Sequence, residues 1–332
     1  MNARIAKAAL LAGSLVLPFS AITACGSDFR PKNAVEGVRI LAARADLPYA
    51  RPGEMVNVQV LAHDGRLGAK REPMRLFWFP ALCVDKLGAS HYGCYPILEA
   101  LFPTGVDLTS SLLEGSGPHP FAVPADALDG VDVRPGQRER YVTAYAFVAA
   151  CAGHLERVPR RSGLGPNQLP VGCFDSAGRE LGAEDFVFGY TRVFIFAERR
   201  NAIPSLDGVT FEGKPVDLAA GIGVNRCTKA DDADCTAAKL DVVFSDAAAE
   251  VDPDNVDEDG KVGRETIYVD WFTTVGKFAT DRKILFDGHR GRPPKTTIDF
   301  TPPNAPAKGT MWAVLHDNRG GTSWMEFPIE IR

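Results

Sequence analysis

One acidic stretch has the residue types and the spacing to bind a hard cation. From position 252 onward, side-chain oxygens recur before Gly260, and Ca²⁺ is bound by several oxygens that converge around such a bend. The candidate ligands are Asp252, Asp254, Asn255, Asp257 and Asp259. If Gly260 is aligned with the glycine of an EF-hand loop, Thr266 falls where a bidentate carboxylate should close the loop. The stretch therefore predicts only a loose structural calcium site, and the simpler alternative is a solvated acidic hairpin loop.

Seven cysteines form the second group of reactive side chains. Cys25 stands apart near the start, which leaves an even six, and an even number in an exported chain predicts disulfides. Proximity along the sequence favours the pairs Cys83–Cys94, Cys151–Cys173 and Cys227–Cys235.

A zinc site is the alternative use of four of these positions. His91 and Cys94, and likewise Cys151 and His154, have a spacing that could present two ligands to one ion. No Cys-x-x-Cys pair is present, however, and a zinc site would leave the other two cysteines of this region without their nearest partners. Disulfides are therefore the favoured prediction.

The motifs of enzyme catalysis are incomplete. Ser90 and His91 are adjacent, but the surrounding residues do not form the Gly-x-Ser-x-Gly turn of a nucleophilic hydrolase. The run 221–223 has two of the glycines of a dinucleotide-binding turn and lacks the third. The sequence therefore predicts no enzyme and no catalytic residue.

The first 24 residues have the layout of a secretory signal. Arg4 and Lys7 provide a basic start, and an apolar run follows from Ala8 to Ile22. A run of this length is short for a transmembrane helix. The segment ends Ile-Thr-Ala before Cys25, so cleavage at that point would leave the cysteine as the first residue of the mature chain.

The residues around Cys25 resemble the lipobox of bacterial lipoproteins, with a branched apolar residue, two small residues and then the modified cysteine. The resemblance implies acyl chains such as palmitate on Cys25, hence attachment to membrane lipid. Several acyl chains give stable anchoring. We therefore expect a protein of the bacterial envelope, in the outer membrane, facing the periplasm or the cell surface. The alternative is an ordinary cleavable signal followed by a chance cysteine.

Composition excludes one class of partner and limits the fold. Without residues 1–24 the chain has 35 Lys and Arg against 42 Asp and Glu, a formal charge of −7, whereas nucleic-acid binders present a basic face. The 32 Gly and 24 Pro are scattered without a period, which disfavours long helices. The 308 residues after position 24 are enough for two domains.

Alternating apolar residues predict antiparallel strands. The clearest are in 56–60, 141–150, 185–197 and 265–273, separated by Gly- and Pro-rich turns. In the last, Trp271 is on the side predicted to fill a core. The region 94–137 is interrupted by prolines, and we expect irregular structure there with a short helix near 125–128. Short strands without a helical period indicate an all-β fold of sandwiches.

Several stretches resemble uncharacterised bacterial surface lipoproteins built from tandem immunoglobulin-like modules. They are residues 45–54, 173–191, 270–278 and 315–321, and the last two also resemble PKD-like and cadherin-like modules. The resemblance implies two antiparallel sandwiches and no catalytic residue. The expected organisation is a signal peptide at 1–24, a lipidated flexible tether at 25–34, a sandwich with a long irregular insertion at 35–199, and a second sandwich at 200–332.

We therefore expect a membrane-anchored envelope protein with a non-catalytic structural or recognition role, and no cofactor beyond the possible calcium. Its partner would be an envelope protein or polysaccharide. One alternative is a carbohydrate-binding or adhesive protein, for which Tyr268 and Phe272 would form an exposed aromatic surface. Another is an exported hydrolase or enzyme accessory subunit with a site in 94–137.

Overall fold

The computed structural model describes residues 31–66, 72–86, 88, 90–159, 168–229 and 234–332. The predicted signal peptide at 1–24, the predicted lipidation site Cys25 and the first part of the expected tether lie outside the described residues. Among the described residues, no helix has the length and apolar character needed to cross a bilayer.

The N-terminal segment, residues 31–199, is mostly strand. Its elements are β1 (Val38–Ala45), β2 (Tyr49–Ala50), β3 (Met55–Asp64), β4 (Arg75–Trp78), β5 (Cys83–Asp85), a 3₁₀ turn (His91–Cys94), α1 (Tyr95–Leu101), a second 3₁₀ turn (Thr109–Ser111), β6 (Leu113–Glu114), β7 (His119–Ala122), β8 (Tyr141–Cys151), β9 (His154–Arg157), β10 (Val171–Phe174) and β11 (Phe186–Phe196). Three sheets form, in the orders β1-β3-β7, β2-β11-β8-β4-β6 with β5 also on β8, and β10-β9.

Strand β8 separates two hydrophobic cores. Its side chains alternate, so that Ala144, Ala146 and Val148 pack against the β1-β3-β7 sheet, whereas Tyr145 and Phe147 pack against α1, β9 and β10. A strand buried on both faces is a nearly continuous apolar run, as the sequence of β8 is. The N-terminal segment therefore has three layers, namely the central sheet that contains β8 and one layer on each of its faces.

The expected irregular insertion is part of these layers. Strand β7 pairs with β3 along four residues, and α1 buries Tyr95 and Leu98 in the outer core. The helix lies at Tyr95–Leu101, with a proline in its first turn, where proline is well tolerated. The helix expected near 125–128 is wrong, because that stretch forms turns.

The C-terminal segment, residues 200–332, contains the remaining strands. They are β12 (Gly208–Phe211), β13 (Lys214–Pro215), β14 (Ile222–Val224), β15 (Ala238–Val243), a 3₁₀ turn (Asp246–Ala248), β16 (Val251–Val256), β17 (Val262–Arg264), β18 (Ile267–Thr273), β19 (Lys277–Phe278), β20 (Arg282–Phe286), β21 (Ile298–Thr301), β22 (Ala307–Asp317) and β23 (Thr322–Ile331).

Two five-stranded sheets enclose the C-terminal core. Their orders are β13-β12-β15-β21-β19 and β14-β23-β22-β18-β20, and β16 and β17 form a separate hairpin. As the alternation predicted, β18 turns Ile267, Val269 and Trp271 inward, each at most 1% exposed. Phe300 and Phe327 meet them from the two sheets.

The prediction of an all-β fold of antiparallel sandwiches is confirmed. Every sheet is confined to one of the two segments, and residues 31–332 together form one compact unit. The division into two domains at 199/200 therefore stays a prediction.

Candidate functional site

The six cysteines form three disulfides. The pairs are Cys83–Cys94, Cys151–Cys173 and Cys227–Cys235, the three that proximity favoured. Because Cys94 and Cys151 are in disulfides, neither sulfur is a free thiolate for zinc. The alternative zinc site is therefore wrong.

Two of the five candidate calcium ligands lie beside an arginine. Asp252 and Asp254 follow each other on one side of β16, where Arg199 Nη1 is 2.5 Å from Asp254 Oδ2 and Arg199 Nη2 is 3.9 Å from Asp252 Oδ1. A guanidinium at this position neutralises the charge that would attract a cation.

The other three candidates have different roles in the β16–β17 hairpin. Asn255 Nδ2 donates to Arg264 O at 2.8 Å, and Asn255 Oδ1 is 2.8 Å from His289 Nε2. Asp257 Oδ1 accepts from the backbone N–H of Asp259 at 3.1 Å. The side-chain oxygens of Asn255 and Asp257 in this acidic hairpin thus already contact hydrogen-bonding groups of the protein. Among the described residues, no group of three or more His, Cys, Asp or Glu could hold a metal ion.

An apolar contact joins the two segments on one side. Val35 and Leu41 of the N-terminal segment pack with Trp312 of β22, and Leu61 and Phe272 cover this cluster. Trp312 is 1% exposed. We call these five residues the apolar joint.

The start of the described chain is built into the same side. The backbone N–H of Val35 donates to Thr273 O at 2.8 Å, and that of Thr273 donates to Asn33 O at 2.9 Å. Asn33 is 2% exposed, and its Nδ2 donates to Thr280 O at 3.2 Å. The fold thus begins before residue 35, and the last residues of the expected tether are held in place.

A buried arginine joins the segments on the other side. Arg319, between β22 and β23, donates from Nε to the Tyr49 hydroxyl at 3.2 Å and from Nη2 to Arg200 O at 2.9 Å. Its guanidinium lies 4.8 Å from the centre of the Tyr49 ring, and Nη1 is 3.2 Å from Glu265 Oε1. We call Tyr49, Asn201, Glu265, Asp317 and Arg319 the polar joint.

Asp317 shapes the hairpin that carries this arginine. Its Oδ1 accepts from the N–H groups of Arg319 at 2.7 Å and Gly321 at 2.8 Å. Its Oδ2 accepts from Asn201 Nδ2 at 2.9 Å. Gly320 has φ +99°, a conformation that favours glycine. The Asp-x-x-Gly-Gly sequence therefore makes the predicted hairpin and also turns Arg319 inward.

Glu265 is fully buried beside this arginine. Burial and the charge of Asp317 raise the pKa of the Glu265 carboxyl to about 8, although the N–H of Glu250 and the charge of Arg319 act in the opposite direction. Burial also raises the pKa of Asp317, against the hydrogen bonds from Asn201, Gly321 and Arg319. Near neutral pH the joint therefore holds a proton on Glu265.

A cleft of about 340 Å³ opens beside the polar joint, with walls from both segments. Its lining consists of Ala43, Tyr190, Thr191, Arg192, Tyr268, His316, Asp317, Asn318, Gly320 and Thr322.

The C-terminal wall of the cleft is a fixed stack of side chains. The Tyr268 ring lies 5.0 Å from the His316 ring and 4.2 Å from the Arg282 guanidinium. Arg282 donates to both oxygens of Asp270, at 2.7 and 2.8 Å. His316 Nδ1 is 3.1 Å from Thr322 Oγ1. Burial lowers the pKa of His316 to about 4, against the charge of Asp270, so the imidazole is neutral at neutral pH.

The N-terminal wall is more open. Tyr190 of β11 is 39% exposed, and its ring lies 4.6 Å from His91. Arg192, two residues along the same face, is exposed, and no described carboxylate forms an ion pair with it. Asn318 Oδ1, across the cleft, accepts from Thr266 N at 3.0 Å. The arrangement is suited to hydrogen bonding and stacking.

The expected aromatic pair is separated by this packing. Tyr268 lines the cleft, whereas Phe272 is covered in the apolar joint. The prediction that the two form one exposed surface is wrong, because Val35 and Leu41 of the N-terminal segment pack with Trp312 and Phe272 at one end of that sheet face. Tyr190 and Arg192 were missed as site residues, since their alternation on β11 indicates exposure but not a neighbour.

Comparisons with known proteins identify no family. No protein-family model matches the chain, and no curated protein matches it. Among solved structures, dimeric latent PorU from Porphyromonas gingivalis is 10% identical over 90% of this chain and 24% of that one, with a TM-score of 0.20. Murine CEACAM1b is 9% identical over 88% and 99% of the two chains, with a TM-score of 0.18.

Escherichia coli alpha-2-macroglobulin activated by porcine elastase is 11% identical over 91% of this chain and 22% of that one, with a TM-score of 0.20. The chain thus spans about a quarter or less of PorU and alpha-2-macroglobulin. Scores this low carry no argument about function, and the site must be interpreted from its own residues.

Proposed function

We propose that the chain is a lipid-anchored protein of the bacterial envelope, in the outer membrane, whose immunoglobulin-like sandwiches have a non-catalytic recognition role. The observation that carries the recognition role is the cleft beside the polar joint, because both segments build it. Ligand sites are concave, largely preformed and lined by a few polar groups that fix orientation.

The sequence around Cys25 and the disulfides support the proposed location. Disulfides persist in oxidising compartments outside the cytoplasm, and three are formed. Asn33, which is buried, lies eight positions after Cys25, which limits the reach of the tether to about 28 Å. An acylated Cys25 would therefore hold the fold close to the membrane surface.

The two joints support presentation of a preformed site. Trp312 and Arg319 are both buried between the segments, so the walls of the cleft are held by packing on one side and by hydrogen bonds on the other. A site that is already ordered does not lose conformational entropy on binding. This arrangement suits recognition of a ligand by a fixed surface.

Membrane fractionation of Cys25→Ser tests the anchor. We expect the wild-type chain in the membrane fraction with an acylated N-terminal peptide, and the variant in the soluble fraction with no acyl mass. Ser27→Ala is the control and should fractionate as wild type. Equal membrane association of wild type and Cys25→Ser would contradict the lipid anchor.

Photo-crosslinking in intact cells tests the recognition role. Benzoylphenylalanine in place of Asn318, in the cleft, should form an adduct with an envelope component. The same residue in place of Lys214, exposed in the β12–β13 turn, should form none. Adducts at neither position, or at both equally, would contradict recognition by the cleft.

A further inference from the structure

We infer that the cleft binds an acidic saccharide, that is, a sugar ring that carries a carboxylate, as a uronic acid does. This inference rests on the proposed recognition role. It adds the chemical class of the ligand, which follows from three properties of the lining: an exposed tyrosine ring, hydrogen-bonding groups of both kinds, and one cation that forms no ion pair with a described carboxylate.

The Tyr190 ring suits the apolar face of a pyranose. Both faces of the Tyr268 ring are covered, by His316 and by Arg282, so Tyr268 offers a fixed ring edge and hydroxyl. Tyr190 is 39% exposed on the opposite wall. Tyrosine offers an apolar ring and a polar hydroxyl in one side chain, and sugar rings combine apolar C–H faces with hydroxyl edges.

The polar lining both donates and accepts hydrogen bonds. The hydroxyls of Tyr190 and Tyr268 can do either, whereas His316 and Thr322 already contact each other at 3.1 Å and His316 Nε2 lies 3.5 Å from Asp270 Oδ2. Asn318 uses Oδ1 for Thr266 N, and its Nδ2 has donors for a ligand oxygen. Sugar hydroxyls need such a mixture. Inorganic phosphate has no C–H face to lie against the Tyr190 ring.

The charges in the cleft favour a carboxylate on that sugar. Arg192 is exposed, and its guanidinium lies 5.5 Å from the centre of the Phe194 ring. The acidic groups nearby are already engaged, because Asp270 accepts two hydrogen bonds from Arg282 and Asp317 accepts three from Asn201, Arg319 and Gly321. A planar carboxylate matches the bidentate geometry of Arg192.

The volume limits the ligand to a short saccharide. Ligand pockets are commonly about 300–1,000 Å³, and the cleft, at about 340 Å³, is at the small end of that range. We therefore expect one or two sugar rings to occupy it, with the rest of a longer chain in solvent.

Isothermal titration of the detergent-solubilised full chain tests the inference. The probes are digalacturonic acid, the neutral digalactose of the same linkage, and inorganic phosphate. We expect digalacturonic acid to bind with a Kd roughly tenfold lower than that of the neutral sugar, a difference of about 1.4 kcal/mol. No binding of digalacturonic acid, equal Kd values for the two sugars, or competition by phosphate would overturn the assignment.

Two variants separate charge from stacking. Arg192→Gln should raise the Kd of digalacturonic acid roughly tenfold and leave that of the neutral sugar unchanged, which abolishes the preference. Arg226 is an exposed arginine outside the cleft, so the control Arg226→Gln should leave both Kd values unchanged. Tyr190→Ala should weaken both sugars and keep their ratio. An unchanged preference in Arg192→Gln would overturn the role of this arginine and with it the acidic class.

Failure of the saccharide assignment can be distinguished from failure of the recognition role itself. If benzoylphenylalanine at position 318 forms its adduct in cells but digalacturonic acid does not bind, the saccharide assignment is wrong and recognition stands. If the adduct also fails to form, the recognition role is contradicted as well.

Discussion

The apolar joint and the polar joint connect the same two segments by different physics. Trp312 is packed among apolar side chains, its Nε1 donates to Glu326 Oε2 at 2.8 Å and its ring lies 4.8 Å from that of His63, so most of its contribution comes from packing and changes little with pH where His63 is neutral. Arg319 is buried with Glu265 and Asp317, and burying charge is costly unless each group finds a partner. The difference indicates that the apolar joint supplies most of the stability, while the polar joint positions the hairpin that lines the cleft.

The largest effect is expected for Trp312→Ala. The substitution leaves a cavity between the segments, and removing a buried aromatic side chain costs about 3–5 kcal/mol. The free energy of unfolding in urea should fall by this amount at pH 8, where His63, whose pKa is lowered by burial, is neutral. Trp312→Phe, which keeps part of the volume, should lose clearly less. A loss below about 1 kcal/mol for Trp312→Ala would contradict a dominant apolar joint.

A smaller loss is expected for Arg319→Ala. Hydrogen bonds to charged groups contribute about 1.5–3 kcal/mol, and Glu265, which is protonated at pH 6, leaves no bare charge behind when Arg319 is removed. We therefore expect a loss of about 2–3 kcal/mol at pH 6 and a larger loss at pH 8, where keeping that proton is harder. Equal losses at both pH values in the same urea experiment would contradict the coupling of Arg319 to Glu265.

Glu265→Gln should change the pH dependence more than the stability itself. A carboxyl whose pKa is raised by folding contributes stability that is complete below its unfolded pKa, near 4.5, and is lost as the pH rises through about 8. Between pH 5 and pH 8, wild type should therefore lose roughly 3–4 kcal/mol relative to the variant. His316 has a lowered pKa, so it makes the free energy of unfolding rise with pH in both proteins. Subtracting the variant's curve from that of wild type removes this contribution and leaves that of Glu265.

Parallel stability curves for wild type and Glu265→Gln would contradict the raised pKa. Glu258→Gln serves as the matched control, since Glu258 is an exposed acid at the tip of the β16–β17 hairpin and is not among the groups that shift the pKa of Glu265.

The smallest effect is expected for an ion pair outside both joints. Arg75 Nη2 and Glu114 Oε2 are 2.7 Å apart, and their side chains are 35% and 52% exposed. Exposed pairs contribute about 0–1 kcal/mol, so Arg75→Gln should barely move the urea midpoint and should lose its effect in high salt. A loss comparable with that of Arg319→Ala would remove the distinction between buried and exposed charge.

The strands were predictable because alternation reports burial directly. The period of two in β3 and β18 and the long apolar run of β8 follow from the sequence, as does the inward position of Trp271. The disulfide pairs were also predictable, since cysteines close in sequence had compatible partners. The helix α1 was missed although Pro96 marks a helix start, because the surrounding prolines suggested irregular structure.

The joints were not predictable from local patterns. The Asp-x-x-Gly-Gly motif indicates a hairpin, but it does not show that Arg319 reaches Tyr49, 270 positions away in the sequence. Tyr190 and Tyr268 likewise line one cleft only because the segments pack together. Alternation could assign each to an exposed face, and only the tertiary arrangement shows that the two faces form one cleft.

Hydrogen–deuterium exchange at pH 6 and pH 8 tests the contrast between the joints most directly. After correction for the intrinsic exchange rate, the amides of Val35 and Thr273 beside the apolar joint should keep the same protection at both pH values. The amides of Arg319 and Gly321, which donate to Asp317, should lose protection at pH 8, when Glu265 gives up its proton. Equal changes at the two joints, or none at either, would contradict this account.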